Sequence, residues 1–398
     1  MSDIDNERII NISMENARTD HRAWLTPIWE GNTVYCETGM FVGRDDRISL
    51  LFKPKSILRV TSYDGLTVYE EGADFILSDD GEIALTDGSS IPVISIEEYY
   101  HDDPSSILKT LRDGKEIFTY CGENKVMTRW QICVTYAHEG AESAFVPPCR
   151  SDRYTSLISK LERGEDVTVL FFGDSITYGC SSSMLGGYPP YMPAWPQLTV
   201  DHLAERYGYT VRYIKSGLDR EVLVPDEDSV FGNRGMITYV NTAVGGWRTQ
   251  HGIDNFKERV GDIIEKYGCD LFVLAFGMND GKLTGEELIG KQRMILDGVV
   301  SLRNDVSMLL VSTMIPNPEA SNGWYRNQHT YEPYLTALAD EYNSRGIPCA
   351  TAPVTSMSKF VTSRKRFRDH SGNNINHPND FMIRLYAQTV IETLVGHL

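Results

Sequence analysis

No stretch of this chain approaches the roughly 20 consecutive apolar residues that a membrane-spanning helix needs. Its opening segment, MSDIDNERIINISMENA, is acidic and has no apolar core of the signal-peptide kind. Cysteine is sparse: seven in 398 residues, odd in number, with no CxxC pair and no regular spacing. That argues against a disulfide framework or a zinc site, and for free thiols in a reducing, cytoplasmic setting. Positive charge is short as well. The 38 Lys and Arg stand against 55 Asp and Glu, a net charge of −17, which speaks against a nucleic-acid partner. The one dense basic run, Arg364-Lys365-Arg366 with Arg368, reads as a solvated loop.

What is present fits a soluble globular protein with room for two domains, at 41% hydrophobic and 23% charged residues. Up to about residue 145 the pattern is β. Short runs at Arg47–Phe52, Ser56–Tyr63 and Gln131–Tyr136 are separated by Asp-Gly turn signals at Asp64-Gly65, Asp80-Gly81 and Asp87-Gly88. Strands at this spacing predict a β-sandwich over residues 1–145. Val146–Cys149 (VPPC) reads as a linker into a second domain, residues 146–398.

In that second domain the periodicity changes. Tyr154, Leu157, Ile158 and Leu161 share one helical face, and Gly164 marks its stop. Strands are predicted at Val167–Phe172, Thr210–Ile214, Ile237–Val240, Leu271–Phe276, Met308–Thr313 and Pro348–Ala352. Helices are predicted at Pro196–Tyr207, Asn255–Tyr267, Gly285–Leu302, Tyr331–Asn343 and from Asp380 onward. Apolar strands without alternation are buried on both faces, so a parallel sheet covered by helices is expected. Lys215–Gly235 reads as an insertion in this series.

Sites in open α/β sheets form at the carboxyl ends of the strands. VTVLFFGDSITYG drives a buried strand straight into Gly-Asp-Ser, placing Ser175 at such an end. A serine hydroxyl becomes a useful nucleophile only when a base, usually His, takes its proton, and donors must wait where the oxyanion forms. Companions exist at other strand ends and helix starts. NTAVGGWRTQ offers the backbone N–H of Gly246; FVLAFGMNDG offers the amide of Asn279; NINHPNDF puts His377 just before the last helix.

Taken in chain order, these four segments resemble the blocks of the SGNH, or GDSL-type, hydrolase superfamily. Gly-Asp-Ser with Gly179 matches the nucleophile block and Asn241 with Gly246 the glycine block. Gly277-Met278-Asn279-Asp280 matches the asparagine block and His377-Pro378 the histidine block. The resemblance covers about residues 165–398. It implies a flavodoxin-like, doubly wound α/β/α domain after the β-sandwich. It further implies Ser175 as nucleophile, His377 as general base and acid, and an oxyanion hole from the N–H groups of Ser175 and Gly246 with the Asn279 side chain. Asp174 shapes the turn.

The chain departs from the family at one place. Asp usually stands three residues before the His, and here that residue is Asn374. Asn can accept a hydrogen bond from imidazole but cannot stabilise imidazolium by charge. Three readings stay open: a dyad oriented by Asn374 or a backbone carbonyl, a charge supplied by Asp369 or Asp380, or a slow enzyme. His370 beside Asp369 has no third ligand at useful spacing and reads as loop, as do Ser181, Ser182 and Ser183.

Aromatic residues cluster near the predicted mouth, with Tyr188, Trp247 and Trp324 as candidates to stack on a substrate and Trp195 as core. Ester hydrolysis through an acyl-serine is expected, with no metal or organic cofactor implied. The resemblance favours an acetylesterase removing acetyl groups from a small-molecule or oligosaccharide substrate. Rivals are a lysophospholipase or thioesterase, an acyltransferase, and an inactive carbohydrate-binding protein. Three roles are open to the N-terminal domain: binding sugar, contacting a second subunit in a homo-oligomer, or closing one wall of the pocket.

Overall fold

A computed structural model of the chain describes residues 24–140, 144–214, 225 and 227–396. The acidic opening segment and most of the predicted insertion, residues 215–224 and 226, lie outside the described residues.

The N-terminal strands form three separate sheets. The largest is five-stranded and is built on β1 (Thr33–Val42), β2 (Pro54–Ser62) and β3 (Gln131–His138), with β3 antiparallel between the other two. A three-stranded sheet joins Arg47–Ile48, Phe75–Leu77 and Ile83–Leu85, and another joins Tyr100–His101, Lys109–Arg112 and Lys115–Thr119. The strand expected over Arg47–Phe52 stops at Ile48. Side chains take the next amides instead: Glu37 Oε1 accepts from Leu51 N and the Tyr136 hydroxyl oxygen from Phe52 N. The apolar run is thereby pinned in the core without a ladder.

The second part begins with α1 (Thr155–Arg163), which buries Leu157 and Leu161 and ends at Gly164 with φ 76°, a left-handed turn suited to glycine. Its sheet has seven strands: β4 (Val167–Gly173), β5 (Thr210–Ile214), β6 (Ser229–Val230), β7 (Met236–Asn241), β8 (Leu271–Ala275), β9 (Ser307–Val311) and β10 (Cys349–Ala352). The spatial order is β6-β5-β7-β4-β8-β9-β10, parallel except for the β5–β6 pair. Five of these, β7-β4-β8-β9-β10, keep the flavodoxin-like order in which the first strand lies second. Strands β5 and β6 fall between β4 and β7 in the chain and extend the edge beyond them.

Both faces of β4 are buried. Val167, Val169 and Phe171 join one apolar cluster, whereas Leu170 and Phe172 join the other. The helix expected over Asn255–Tyr267 is broken into Thr249–Asp254, a wider π-type turn Lys257–Gly261, and Asp262–Tyr267.

The C-terminal helix Asp380–Val395 has every side chain buried, because the N-terminal strands cover the face that solvent would otherwise reach. Arg384 donates to the carbonyls of Tyr35 and Cys36 on β1, and Gln388 to that of Thr26.

The same docking overturns the reading of the basic run as a solvated loop at Lys365 and Arg368, whereas Arg366 stays exposed. Lys365 is fully buried with its Nζ 2.7 Å from Glu37 Oε1 and 2.8 Å from the Ser49 carbonyl. Arg368 is buried against Asp46, and Asp369 accepts from Met40 N. His370, also expected in a loop, is wholly buried, and burial pushes its pKa down to about 3. Lys365, Arg368 and Asp369 face carboxylates, a carbonyl and an amide of the N-terminal part, which the local sequence does not reveal.

A buried ion pair costs most when one partner is removed and the other charge is stranded. Lys365→Met is therefore expected to lower the unfolding free energy by about 3–5 kcal/mol in urea titrations. Adding Glu37→Gln should recover much of that loss.

Candidate active site

Strand β4 ends in a tight turn onto the short helix Ser175–Tyr178. Asp174 caps it, accepting from Ile176 N at 3.0 Å and from the amide of Met278. Burial raises the Asp174 carboxyl to about 7. This side chain thus ties the nucleophile turn to the asparagine segment, the turn-shaping place expected of it. Asn241 does the same for the glycine segment: its amide donates to the Thr177 carbonyl, and its oxygen accepts from Ala243 N. Asp280 closes the set by accepting from the amide and hydroxyl of Thr249.

These ties bring the distant segments together. His377 Nε2 lies 2.9 Å from Ser175 Oγ, across 202 residues of chain. A Cβ placed on Gly245 would sit 3.9 Å from Ser175 Cβ, so the glycine segment packs beside the serine. Gly246 has φ 76°, and open space surrounds the position of its absent side chain. The backbone conformation is what calls for glycine there. Gly246 and Asn279 line one cavity of about 460 Å³, together with Trp324 and Asn376. The Asn279 amide nitrogen is held by the Trp247 carbonyl at 2.9 Å, which uses one of its two hydrogens.

The acid beside the imidazole comes from the N-terminal part. His377 Nδ1 is 2.8 Å from Glu123 Oε1, with the His ring 12% exposed and the Glu side chain 46% exposed. Burial raises the Glu123 carboxyl, but hydrogen bonding and charge from His377, with bonds from Ser181 and Asn373, leave it lowered overall. Of the residues weighed for this role, Asn374, Asp369 and Asp380, none bonds the imidazole. Asn374 does not touch the imidazole: its amide donates to the Tyr99 hydroxyl and the Tyr120 carbonyl. Asp369 is committed to Met40 N, and Asp380 accepts from Ser183 N.

Asn374 instead grips the segment that presents Glu123. Its neighbour Asn373 orders the loop: one side-chain oxygen accepts from the amides of Ile375, Asn376 and His377, while the nitrogen donates to Glu123 Oε1. Gly122 N donates to the Asn373 carbonyl, and a Cβ on Gly122 would sit 2.6 Å from Val126. Ser181, expected in solvent, is buried and donates to Glu123 Oε2; Ser182 and Ser183 are buried too. Nothing in the local sequence Cys121–Lys125 marks Glu123. The one available signal was the missing acid at position 374.

The aromatic candidates separate. Trp324 lines the cavity, and its indole N–H donates to the Ile107 carbonyl of the N-terminal part at 3.3 Å. Trp247 packs edge-on against Phe172 with the Arg259 guanidinium over its ring, away from the cavity lining. Tyr188 is buried, accepting from the Thr128 hydroxyl, and is a domain-contact residue. Trp195 is core, as expected. None of the seven cysteines is in a disulfide, and no helix among the described residues is long and apolar enough to cross a membrane.

Glu123→Gln keeps a hydrogen-bond acceptor at the imidazole but removes the charge that would balance imidazolium. If the relay operates, kcat should fall by about 10³-fold or more with KM little changed. Asn374→Ala should lose a comparable part of the activity by loosening the Glu123 segment, whereas Asp369 and Asp380 variants should show their main effect in stability. Steady-state kinetics alongside melting curves separate the cases.

Residues 169–353 match the family model of GDSL-like lipases and acylhydrolases. No curated protein is similar to the chain by sequence. Among solved structures, a two-domain esterase (CEX) active on acetylated mannans is 17% identical, with TM-score 0.42, covering 61% of this chain and 53% of that one. The match thus spans about half the length of that esterase. A catalytic mutant of Axe2, an acetylxylan esterase from Geobacillus stearothermophilus, is 16% identical, with TM-score 0.40, covering 58% of this chain and 95% of the other. A carbohydrate esterase of family 3 from Talaromyces cellulolyticus is also 16% identical, with TM-score 0.37, covering 56% and 94%. The strand that ends in Gly-Asp-Ser and the glycine and asparagine segments beside it thus lie in a stretch, residues 169–353, that is similar to the GDSL-like lipase/acylhydrolase family.

Proposed function

We propose that the protein is a serine esterase that removes short acyl groups, acetyl above all, from carbohydrate hydroxyls. The observation that carries the reading is the relay Glu123–His377–Ser175, at 2.8 and 2.9 Å. With Nδ1–H donated to the carboxylate, Nε2 is left as the acceptor for the serine proton.

The steps follow from that tautomer. His377 takes the proton as Ser175 Oγ attacks the acyl carbon. The oxyanion faces the N–H groups of Ser175 and Gly246 and the free amide hydrogen of Asn279. Imidazolium, balanced by Glu123, returns the proton to the leaving alcohol oxygen, giving acyl-Ser175 and free alcohol. Water, deprotonated by His377, then attacks the acyl group and releases the acid. The N-terminal strands, read as an accessory β-sandwich, supply Glu123 and brace the loop of Trp324. Their role is then catalytic support as well as pocket closure.

For the substrate, the lining supports a polar alcohol portion. Asn279 and Asn376 offer amides, and Trp324 offers one ring face of the kind that stacks on sugars. A lysophospholipase or thioesterase would instead hydrolyse longer acyl chains faster, and an acyltransferase would pass the acyl group to an added alcohol.

The test is acyl release from acetylated xylo-, manno- and gluco-oligosaccharides and from p-nitrophenyl esters of increasing chain length. Acetate and propionate should be fastest, and Ser175→Ala should lower kcat by about 10⁵-fold or more. Rates that climb with chain length, or a Ser175→Ala protein as active as wild type, would overturn the reading.

A further inference from the structure

The cavity lined by Gly246, Asn279 and Asn376 has a charge of the wrong sign for this chain. Overall, acidic residues outnumber basic ones 55 to 38. Around the cavity stand four cations, Arg248, Lys282, Lys291 and Arg326, and a single carboxylate, Asp280. Asp280 is buried and turned away into the amide and hydroxyl of Thr249.

Among the described residues none of the four cations lies within ion-pair distance of a carboxylate, although the charges of Arg248 and Lys291 are felt by Asp280 and that of Lys291 by Glu287. Lys291 bonds the Gln250 side-chain oxygen, and Arg326 Nε bonds the Gly323 carbonyl at 2.5 Å. Arg248 and Lys282 are exposed. Elsewhere on this surface basic side chains commonly sit against acidic ones, as Arg293 does with Glu341, Lys257 with Asp262 and Arg303 with Asp305. An unbalanced cationic wall is therefore a local feature of the cavity.

Such a wall attracts an anion that the molecule as a whole repels. Arg248 adjoins Trp247 and Gly246 in the chain, and Lys282 follows Asn279 by three residues, so the charges flank the proposed oxyanion donors. Flexible Arg and Lys side chains can close on a carboxylate or phosphate without breaking an existing ion pair.

We infer that the alcohol portion of the substrate is anionic: an acyl ester of a sugar that carries a carboxylate or phosphate near the esterified hydroxyl. This inference rests on the esterase reading above and names its substrate class.

Two matched pairs test it. One is O-acetylated trigalacturonate against its neutral primary-amide derivative; the other is acetylated glucose 6-phosphate against acetylated glucose. Wild type should show kcat/KM about tenfold higher for at least one anionic member, with the advantage shrinking as salt rises. Arg248→Gln combined with Lys282→Gln should lower the anionic-to-neutral ratio by a similar factor. The preferred pair, carboxylate or phosphate, identifies the anion.

Calorimetric binding of the same ligands to Ser175→Ala reads the inference without turnover. Tighter, salt-sensitive binding of an anionic member supports it even if no ester is hydrolysed, an outcome that would sink only the esterase reading. Equal binding within both pairs, or a ratio unmoved by the double variant, overturns it.

Discussion

The imidazole of His377 is held on both nitrogens by regions that are far apart in the chain: Ser175, 202 residues away, and Glu123, 254 residues away. The first contact lies within the C-terminal α/β part and follows from its sheet. The second exists only while the N-terminal part is docked. Much of the interface between the two parts can be understood as fixing that one hydrogen bond. Asn374 clamps the backbone just before Glu123, Asn373 bonds the carboxylate itself, and Gly122 lets the segment pass close to the loop. Behind them, the buried Lys365–Glu37 pair and the wholly enclosed C-terminal helix make the docking rigid. A carboxylate misplaced by about 1 Å would leave a ring free to turn, and catalytic groups are sensitive to errors of that size.

The electrostatics of the site follow the same division. The carboxylates just past the strand ends are buried and lifted: Asp174 to about 7, and Asp280 above its ordinary range, both chiefly by desolvation. Each is held by backbone amides and serves to lock segments together. Glu123 is the opposite case. It is half open to water yet surrounded by donors, and its carboxyl is lowered in spite of its partial burial. A group depressed in this way keeps its charge at the pH values where neutral imidazole is available, which is the combination a relay of this kind requires.

A single reach of the N-terminal part does more than deliver the acid. The sheet of Tyr100–His101, Lys109–Arg112 and Lys115–Thr119 also supports the loop that carries Trp324. Ser321 N donates to the Lys109 carbonyl, and Asn322 and Trp324 donate to that of Ile107. Removing this sheet would unfasten one wall of the cavity and the imidazole partner at once. The proposed accessory domain is better described as part of the site than as an appendage to it.

Much of this architecture is legible in the residues alone. Apolar runs without alternation, caps and stop glycines are local signals, and they place the helix Gly285–Leu302 as the structure has it and most of the strands within a residue or two. Ser175, Gly246, Asn279 and His377 are legible too, because strand ends gather them by topology alone. Contacts between the two parts were not legible. Lys365, His370 and the serines after the nucleophile read as solvent-facing, since a short polar run carries no mark of what will cover it. Glu123 has no periodicity, motif or neighbour that sets it apart from other surface acids. The sequence by itself determined the sheet, its helices and the serine–histidine pair, for which local patterning suffices. Only the tertiary structure decided which carboxylate meets the ring, because that depends on docking two separately patterned regions, and surface complementarity has no local code.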